Sequence, residues 1–163
     1  MVTRKAMEKM VTKKAMEKMV WFDMDGTIAD LYGVEGWLPL LRAGSTLPYE
    51  AAACMVNMAQ LAKLLHKVQA AGWRIGIISW TSKAGSSTYN QAVAYAKRKW
   101  LKKHLPSVTW DEINIVNYGY AKHGYRHTDD DILFDDEAYN RLAWVGKAYE
   151  PDEIITVLKT LIA

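Results

Sequence analysis

Short apolar runs alternate along this chain with longer stretches in which apolar residues recur every three or four positions. Residues 19–23, WRIGIIS (73–79), EINIV (112–116), DILF (131–134) and AWVGKA (143–148) read as strands. Several are apolar throughout rather than alternating, the pattern of a strand covered on both faces. Between them, residues 51–71 set Met55, Met58, Ala62, Leu65 and Val68 close to one face of a helix that Gly72 stops. A second helix is predicted from a Ser87 cap to about residue 103, with Tyr89, Val93, Ala96 and Trp100 inward. Pro151 suits the first position of a last helix carrying Ile154, Ile155, Leu158 and Leu161. Strands alternating with helices predict an α/β fold, a mainly parallel sheet with helices on both faces.

Two stretches break the alternation. LYGVEGWLPLLRAGSTLPYE, residues 31–50, holds three Gly and two Pro and reads as a small cap insert. At the start, TRKAMEKMV (3–11) is followed by TKKAMEKMV (12–20). Two nine-residue copies are too few and too short for a solenoid, and a recent duplication or a cloning remnant is the reading. The expected organisation is a repeated basic tail over residues 1–18 and a single domain over 19–163, a length that one core can serve.

The tail also explains the net charge of +3. Arg4, Lys5, Lys9, Lys13, Lys14 and Lys18 stand against Glu8 and Glu17 within residues 1–20, so the rest of the chain is slightly acidic, at −1. The global charge therefore gives no argument for nucleic acid. No run of some 18 apolar residues suggests a membrane span, and the N-terminus lacks the apolar core of a secretory signal. The single cysteine, Cys54, excludes an internal disulfide and suits a reducing cytoplasm; its Ala- and Met-rich surroundings predict a buried, inert thiol on a helix.

Chemistry enters where the strands end. VWFDMDGT places Asp23 and Asp25 two residues apart at the end of the first strand, and like charges so close resist joint ionisation unless a cation or a proton is shared. Ser79 ends the second strand, Asp135 and Asp136 follow the fourth, and Lys122 lies in the connection before it. In open parallel sheets, ligands bind at the carboxyl ends of strands. An acidic cluster there calls for a hard divalent cation, and Mg²⁺ favours one or two carboxylates completed by substrate phosphate and water.

DMDGT resembles motif I of the haloacid dehalogenase (HAD) superfamily of phosphohydrolases; IGIIS resembles its motif II, Lys122 its motif III lysine and ILFDD its motif IV, in order over residues 19–163. The resemblance implies a Rossmann-like core and a Mg²⁺-dependent phosphomonoesterase in which Asp23 is the nucleophile and forms an aspartyl-phosphate. Asp25 would protonate the leaving oxygen and then activate water. Ser79, Gly26 and Lys122 would hold the phosphate. Asp23, the Asp25 carbonyl, Asp135 and Asp136 would hold the metal. DMDGTIAD is also similar to the 5′-nucleotidase branch, with a reduced cap. The expected partner is a small phosphorylated molecule, a nucleoside monophosphate first. A nucleic-acid end or a phosphoprotein is the less favoured alternative, and a phospho-accepting receiver-type or non-catalytic binding module is the rival from another class. Receiver domains carry their paired acids before the phosphorylated aspartate, opposite to the order here.

Other features read as structural. Asp30 reads as a cap. Asp129, Asp130 and Asp131 read as a solvated acidic turn, and His123 and His127 as surface or rim residues. KRKWLKKH (97–104) reads as a solvated basic face, although Lys97 and Lys102 are within helical reach of the site and rival Lys122. Thr81 rivals Ser79 as the site hydroxyl. Trp21, Trp73 and Trp144 fall on core positions, whereas Trp37 and Trp80 fall near the mouth of the site, where an aromatic excludes water or stacks on a base.

Overall fold

The computed structural model describes residues 3–6 and 17–163. Most of the repeated tail lies outside them, including Met7, Val11 and Ala15, whose spacing in the sequence suggests a weak helical stripe among the lysines. Five strands form one parallel sheet in the order β5-β4-β1-β6-β7, with β1 Met19–Phe22, β4 Arg74–Trp80, β5 Glu112–Val116, β6 Ile132–Phe134 and β7 Lys147–Tyr149. The second copy of the repeat thus supplies Met19 and Val20 to the central strand, where all four residues are buried. The remaining strands among the described residues, β2 Ala29–Asp30 and β3 Ala53–Cys54, pair antiparallel outside this sheet. Two short helices, α1 Trp37–Arg42 and α2 Leu47–Ala51, lie between them. Along the rest of the chain follow α3 Met58–Ala70, α4 Ser87–His104, α5 Ala138–Trp144 and α6 Ile154–Leu161. The α/β architecture and its parallel sheet are as the apolar pattern predicts.

The main core gathers Val20 and Phe22 of β1, Ile75 and Ile77 of β4 and Phe134 of β6 against Leu61, Leu65 and Val68 of α3 and Ile154 and Leu158 of α6. On the opposite face Met19, Trp21, Ile78, Leu133 and Trp144 form a second cluster. Trp21 is fully buried there because residue 76, its neighbour in β4, is glycine: a Cβ at Gly76 would collide with the indole.

Several boundaries differ from the sequence expectation for local reasons. The helix expected over 51–71 begins at Met58, because Asn57 caps it by accepting the Gln60 N–H (3.0 Å) and because residues 53–54 are drawn into β3. Met55 and Cys54 are consequently exposed, and the Cys54 Sγ lies 3.3 Å from His104 Nδ1 instead of in the core. Ser86, rather than Ser87, caps α4. The strand expected at 143–148 is the end of α5, a left-handed Val145 (φ 51°) and then β7. A 3-10 turn over Pro151–Glu153, closed by a Glu150–Glu153 capping box, precedes α6.

Asp131 reverses its expectation most completely. It is fully buried, and its carboxylate accepts from Met19 N–H (2.9 Å), Trp21 Nε1 (3.0 Å), His127 N–H (2.8 Å) and Thr128 Oγ1 (2.7 Å). Its carbonyl accepts from Trp144 Nε1 (3.0 Å). Asp129 and Asp130 remain exposed.

Candidate active site

Strand register assembles the acidic cluster. Phe22 and Phe134 are partners across β1 and β6, so Asp23 and Asp135 leave the sheet side by side. Asp23 N–H donates to the Phe134 carbonyl (2.9 Å) and Asp135 N–H to the Tyr149 carbonyl (3.2 Å), which extends the ladder through both acids. Asp136 follows, and among the described residues Asp23, Asp135 and Asp136 each present a carboxylate oxygen within 4.8 Å of the others. Gly26 permits this closeness. With φ 77° it occupies left-handed space, and a Cβ there would run into the Asp136 carboxylate.

Each acid is held by named partners. Thr27 is fully buried; its Oγ1 donates to Asp23 Oδ2 (2.9 Å) and accepts from Asp136 N–H (3.2 Å), so it locks one oxygen of Asp23. Lys122, at the start of a 3-10 turn after β5, is buried and donates to Asp23 Oδ1 (2.9 Å) and Asp135 Oδ2 (2.7 Å). Asn140 of α5 adds a contact to Asp135 Oδ2 (3.2 Å), and Glu137 N–H binds Asp135 Oδ1 (2.9 Å). Thr27 was visible in the sequence only as part of DGT. Asn140 carried no signal, since nothing in AYNRLAW marks it as turned toward β6.

A second buried lysine serves Asp25. Lys97 leaves the solvated basic face expected of 97–104 and inserts its Nζ between Asp25 Oδ2 (2.7 Å), Ser79 Oγ (2.7 Å) and the Trp80 carbonyl (2.6 Å). Lys97 and Lys122 thus reach different acids and are not alternatives. Asp25 turns its carboxylate to Lys97 and stays out of the three-acid cluster. Ser79 is fully buried behind it, whereas Thr81 lines the cavity described below with a buried Oγ1 that has no hydrogen-bond partner among the described residues. Gly26, expected at the phosphate, spends its N–H on the Ala29 carbonyl (2.8 Å).

The electrostatics are those of an incompletely neutralised pocket. Four carboxylates face two buried ammonium groups, which leaves two negative charges uncompensated if all are ionised. Burial, with the charge of Asp23 second, pushes Asp135 up to about 6 against the opposing Lys122. Burial, reinforced by Asp23 and Asp135, pushes Asp136 up to about 8. Asp25 is raised by burial, an effect that Lys97 opposes and Asp23 reinforces. Burial alone would favour a neutral Lys122, but Asp23 and Asp135 outweigh it and hold the ammonium form. A divalent cation fits this donor set: three clustered carboxylates, all hard oxygen ligands, with a charge deficit of two.

The cluster forms the floor of a cavity of about 460 Å³. Its walls are aromatic (Tyr32, Trp37, Tyr49, Trp80 and Tyr118), with Arg42 and Lys83 also lining it. Trp37, Tyr49 and Arg42 come from α1 and α2, so the segment between β2 and β3 forms one wall. Tyr32 packs edge-on to Trp37, and Trp80 lies over Lys122, 5.0 Å from its Nζ to the ring centre.

The fold is shared with solved structures. The crystal structure of D,D-heptose 1,7-bisphosphate phosphatase from Burkholderia thailandensis superposes with a TM-score of 0.58 at 12% identity, covering 90% of this chain and 99% of that one. No family model and no curated protein matches the sequence.

Proposed function

We propose that the protein is a HAD-type, metal-dependent phosphomonoesterase whose nucleophile is Asp23. The observation that carries this reading is the meeting of Asp23, Asp135, Asp136 and Lys122 on the floor of one cavity, at the carboxyl ends of adjacent strands. Asp23, Asp135 and Asp136 would hold Mg²⁺, completed by the Asp25 carbonyl. The cation supplies neutralisation of the carboxylates and of the phosphoryl group.

The residues of the chain do the rest. Thr27 keeps one Asp23 oxygen fixed, and the other attacks phosphorus as the ester P–O bond breaks. Lys122, already beside that oxygen, draws charge from the phosphoryl group. Asp25, whose proton burial helps retain, donates it to the leaving oxygen. It then takes a proton from water, whose oxygen attacks phosphorus and frees Asp23 with release of phosphate. The hydroxyl donor to the phosphate we assign to Thr81, since its Oγ1 is unpartnered at the cavity wall while Ser79 is engaged by Lys97.

The substrate we favour is a nucleoside monophosphate: aromatic walls suit a flat base, and the segment over residues 31–50 acts as the reduced cap. The neighbouring structure carries the name of a sugar bisphosphate phosphatase, so sugar phosphates belong in the same panel. The test is steady phosphate release from nucleotides, sugar phosphates and phosphorylated oligonucleotide ends with Mg²⁺. A single slow phosphorylation without turnover would overturn the phosphatase reading in favour of a phospho-accepting module. Turnover of only the sugar esters or oligonucleotide ends would overturn the nucleotide assignment.

A further inference from the structure

We infer that Lys97 is a positioning residue that holds Asp25 in register with the end of β4; the inference rests on the phosphatase reading above. A lysine on α4 has no evident reason to be inside. Arg98, Lys99, Lys102 and Lys103 on the same helix are solvent-exposed, while Lys97 is 1% exposed. Burial of an ammonium group is costly unless every donor is met. Here the donors are met in full: three N–H groups, three acceptors, at 2.6–2.7 Å. The ring of Tyr49, its centre 5.2 Å from Nζ, adds a further favourable contact.

The three acceptors come from two different strand ends. Asp25 belongs to the loop after β1, while Ser79 and Trp80 close β4. One ammonium therefore ties the loop carrying the acid–base carboxylate to the neighbouring strand. The contact is specific to that carboxylate, since Asp23 and Asp135 are served by Lys122. Lys97 itself is absent from the cavity wall, which Asp25 does line. It therefore acts through Asp25 and not on the substrate. Removing it would free the Asp25 side chain to rotate and would lengthen the proton's path to the leaving oxygen, while the nucleophile, Lys122 and the metal ligands kept their partners.

The experiment compares Lys97→Met with the wild type on an alkyl phosphate, whose leaving group needs a proton, and on nitrophenyl phosphate, whose leaving group does not. The expected result is a loss in kcat/KM, which reports only the steps up to departure of the leaving group, of about 10²-fold on the alkyl ester, within the usual range for acid–base catalysis. A markedly smaller loss is expected on the nitrophenyl ester, with affinity for inorganic phosphate unchanged. Equal losses on the two esters, or a loss confined to phosphate affinity, would overturn the inference. If Lys97→Met fails to fold, Asp25→Asn/Lys97→Met, which leaves no buried unpaired carboxylate, is compared with Asp25→Asn alone. Equal kcat supports the inference; a further loss of about tenfold or more, the signature of independent contributions, overturns it. Failure of the phosphatase reading is separable: the wild type would then show no turnover, or Asp23→Asn would retain it.

Discussion

Replacing Asp131 by Asn tests the buried carboxylate that the chain hides within a run of three aspartates. The change is isosteric, so it opens no cavity and isolates the hydrogen bonds. One carboxylate oxygen serves Met19 N–H and Thr128 Oγ1, and the other serves Trp21 Nε1 and His127 N–H. An amide retains one acceptor oxygen and must turn its NH₂ toward the other pair. Each pair includes a donor on a fully buried residue, Met19 or Trp21. One such donor is then unsatisfied, and so is at least one amide hydrogen, because of the four partners only the Thr128 hydroxyl can accept. At about 1–3 kcal/mol for each unsatisfied group, the loss is roughly 2–6 kcal/mol, a large part of the stability of an ordinary domain. In a chain of this size that is a fall in Tm of roughly 5–20 °C. Urea unfolding and thermal melts of Asp131→Asn, with Asp129→Asn and Asp130→Asn as exposed controls, give the measurement. If Asp131→Asn falls within the controls' range of about 0.5 kcal/mol, the hydrogen-bonded hub does not carry the load assigned to it.

Asp23→Asn should keep the fold and lose more than about 99% of turnover, since an amide oxygen is a poor nucleophile; residual activity above about 1% removes Asp23 from the role. Chelation should stop activity and Mg²⁺ restore it, with Asp135→Asn raising the Mg²⁺ requirement. Asp135 and Asp136 have folded-state pKa values raised to about 6 and about 8, so the folded metal-free protein binds extra protons. Their contribution is fully present below about pH 4 and is lost as pH rises toward 8. Melts in chelator should therefore show Tm falling from pH 5 to 8, and Mg²⁺ should cancel the slope; a flat profile in chelator contradicts the picture of crowded carboxylates. Thr81→Val should raise KM for the phosphate ester more than Ser79→Ala does, and the reverse order would return the phosphate contact to Ser79.

What the sequence revealed and what it hid divide along the range of the interactions. The central strand, its neighbours and the acids at their ends were legible because apolar runs and strand ends are local signals, and the parallel arrangement follows from the alternation with helices. Asp131 was not legible: Met19 and Trp21, whose N–H groups it accepts, lie 112 and 110 residues away, and an acidic run looks solvated whatever its partners. Lys97 sat in a cationic run for the same reason, distinguished from Arg98 and Lys99 only by the face of the helix it occupies. The start of α3 could have been read from Asn57, a good capping residue, but the apolar Ala-rich stretch before it outweighed that cue. Residues 143–148 misled because Trp144 and Val145 have strand propensity, and the left-handed residue that separates helix from strand is Val145 and not the adjacent Gly146.

The antiparallel pairing of Asp30 with Ala53 and Ala29 with Cys54 has an evolutionary consequence. It staples together the two points where residues 31–52 leave and rejoin the rest of the chain. A loop whose ends are already joined can change length cheaply, at only about 0.6 kcal/mol for each doubling of a flexible segment. The acids and Lys122 on the floor lie outside that loop, while Trp37, Arg42 and Tyr49 lie within it. Selection is thus free to lengthen, shorten or replace this wall, and so to retune which molecule enters, while the floor beneath is left unaltered.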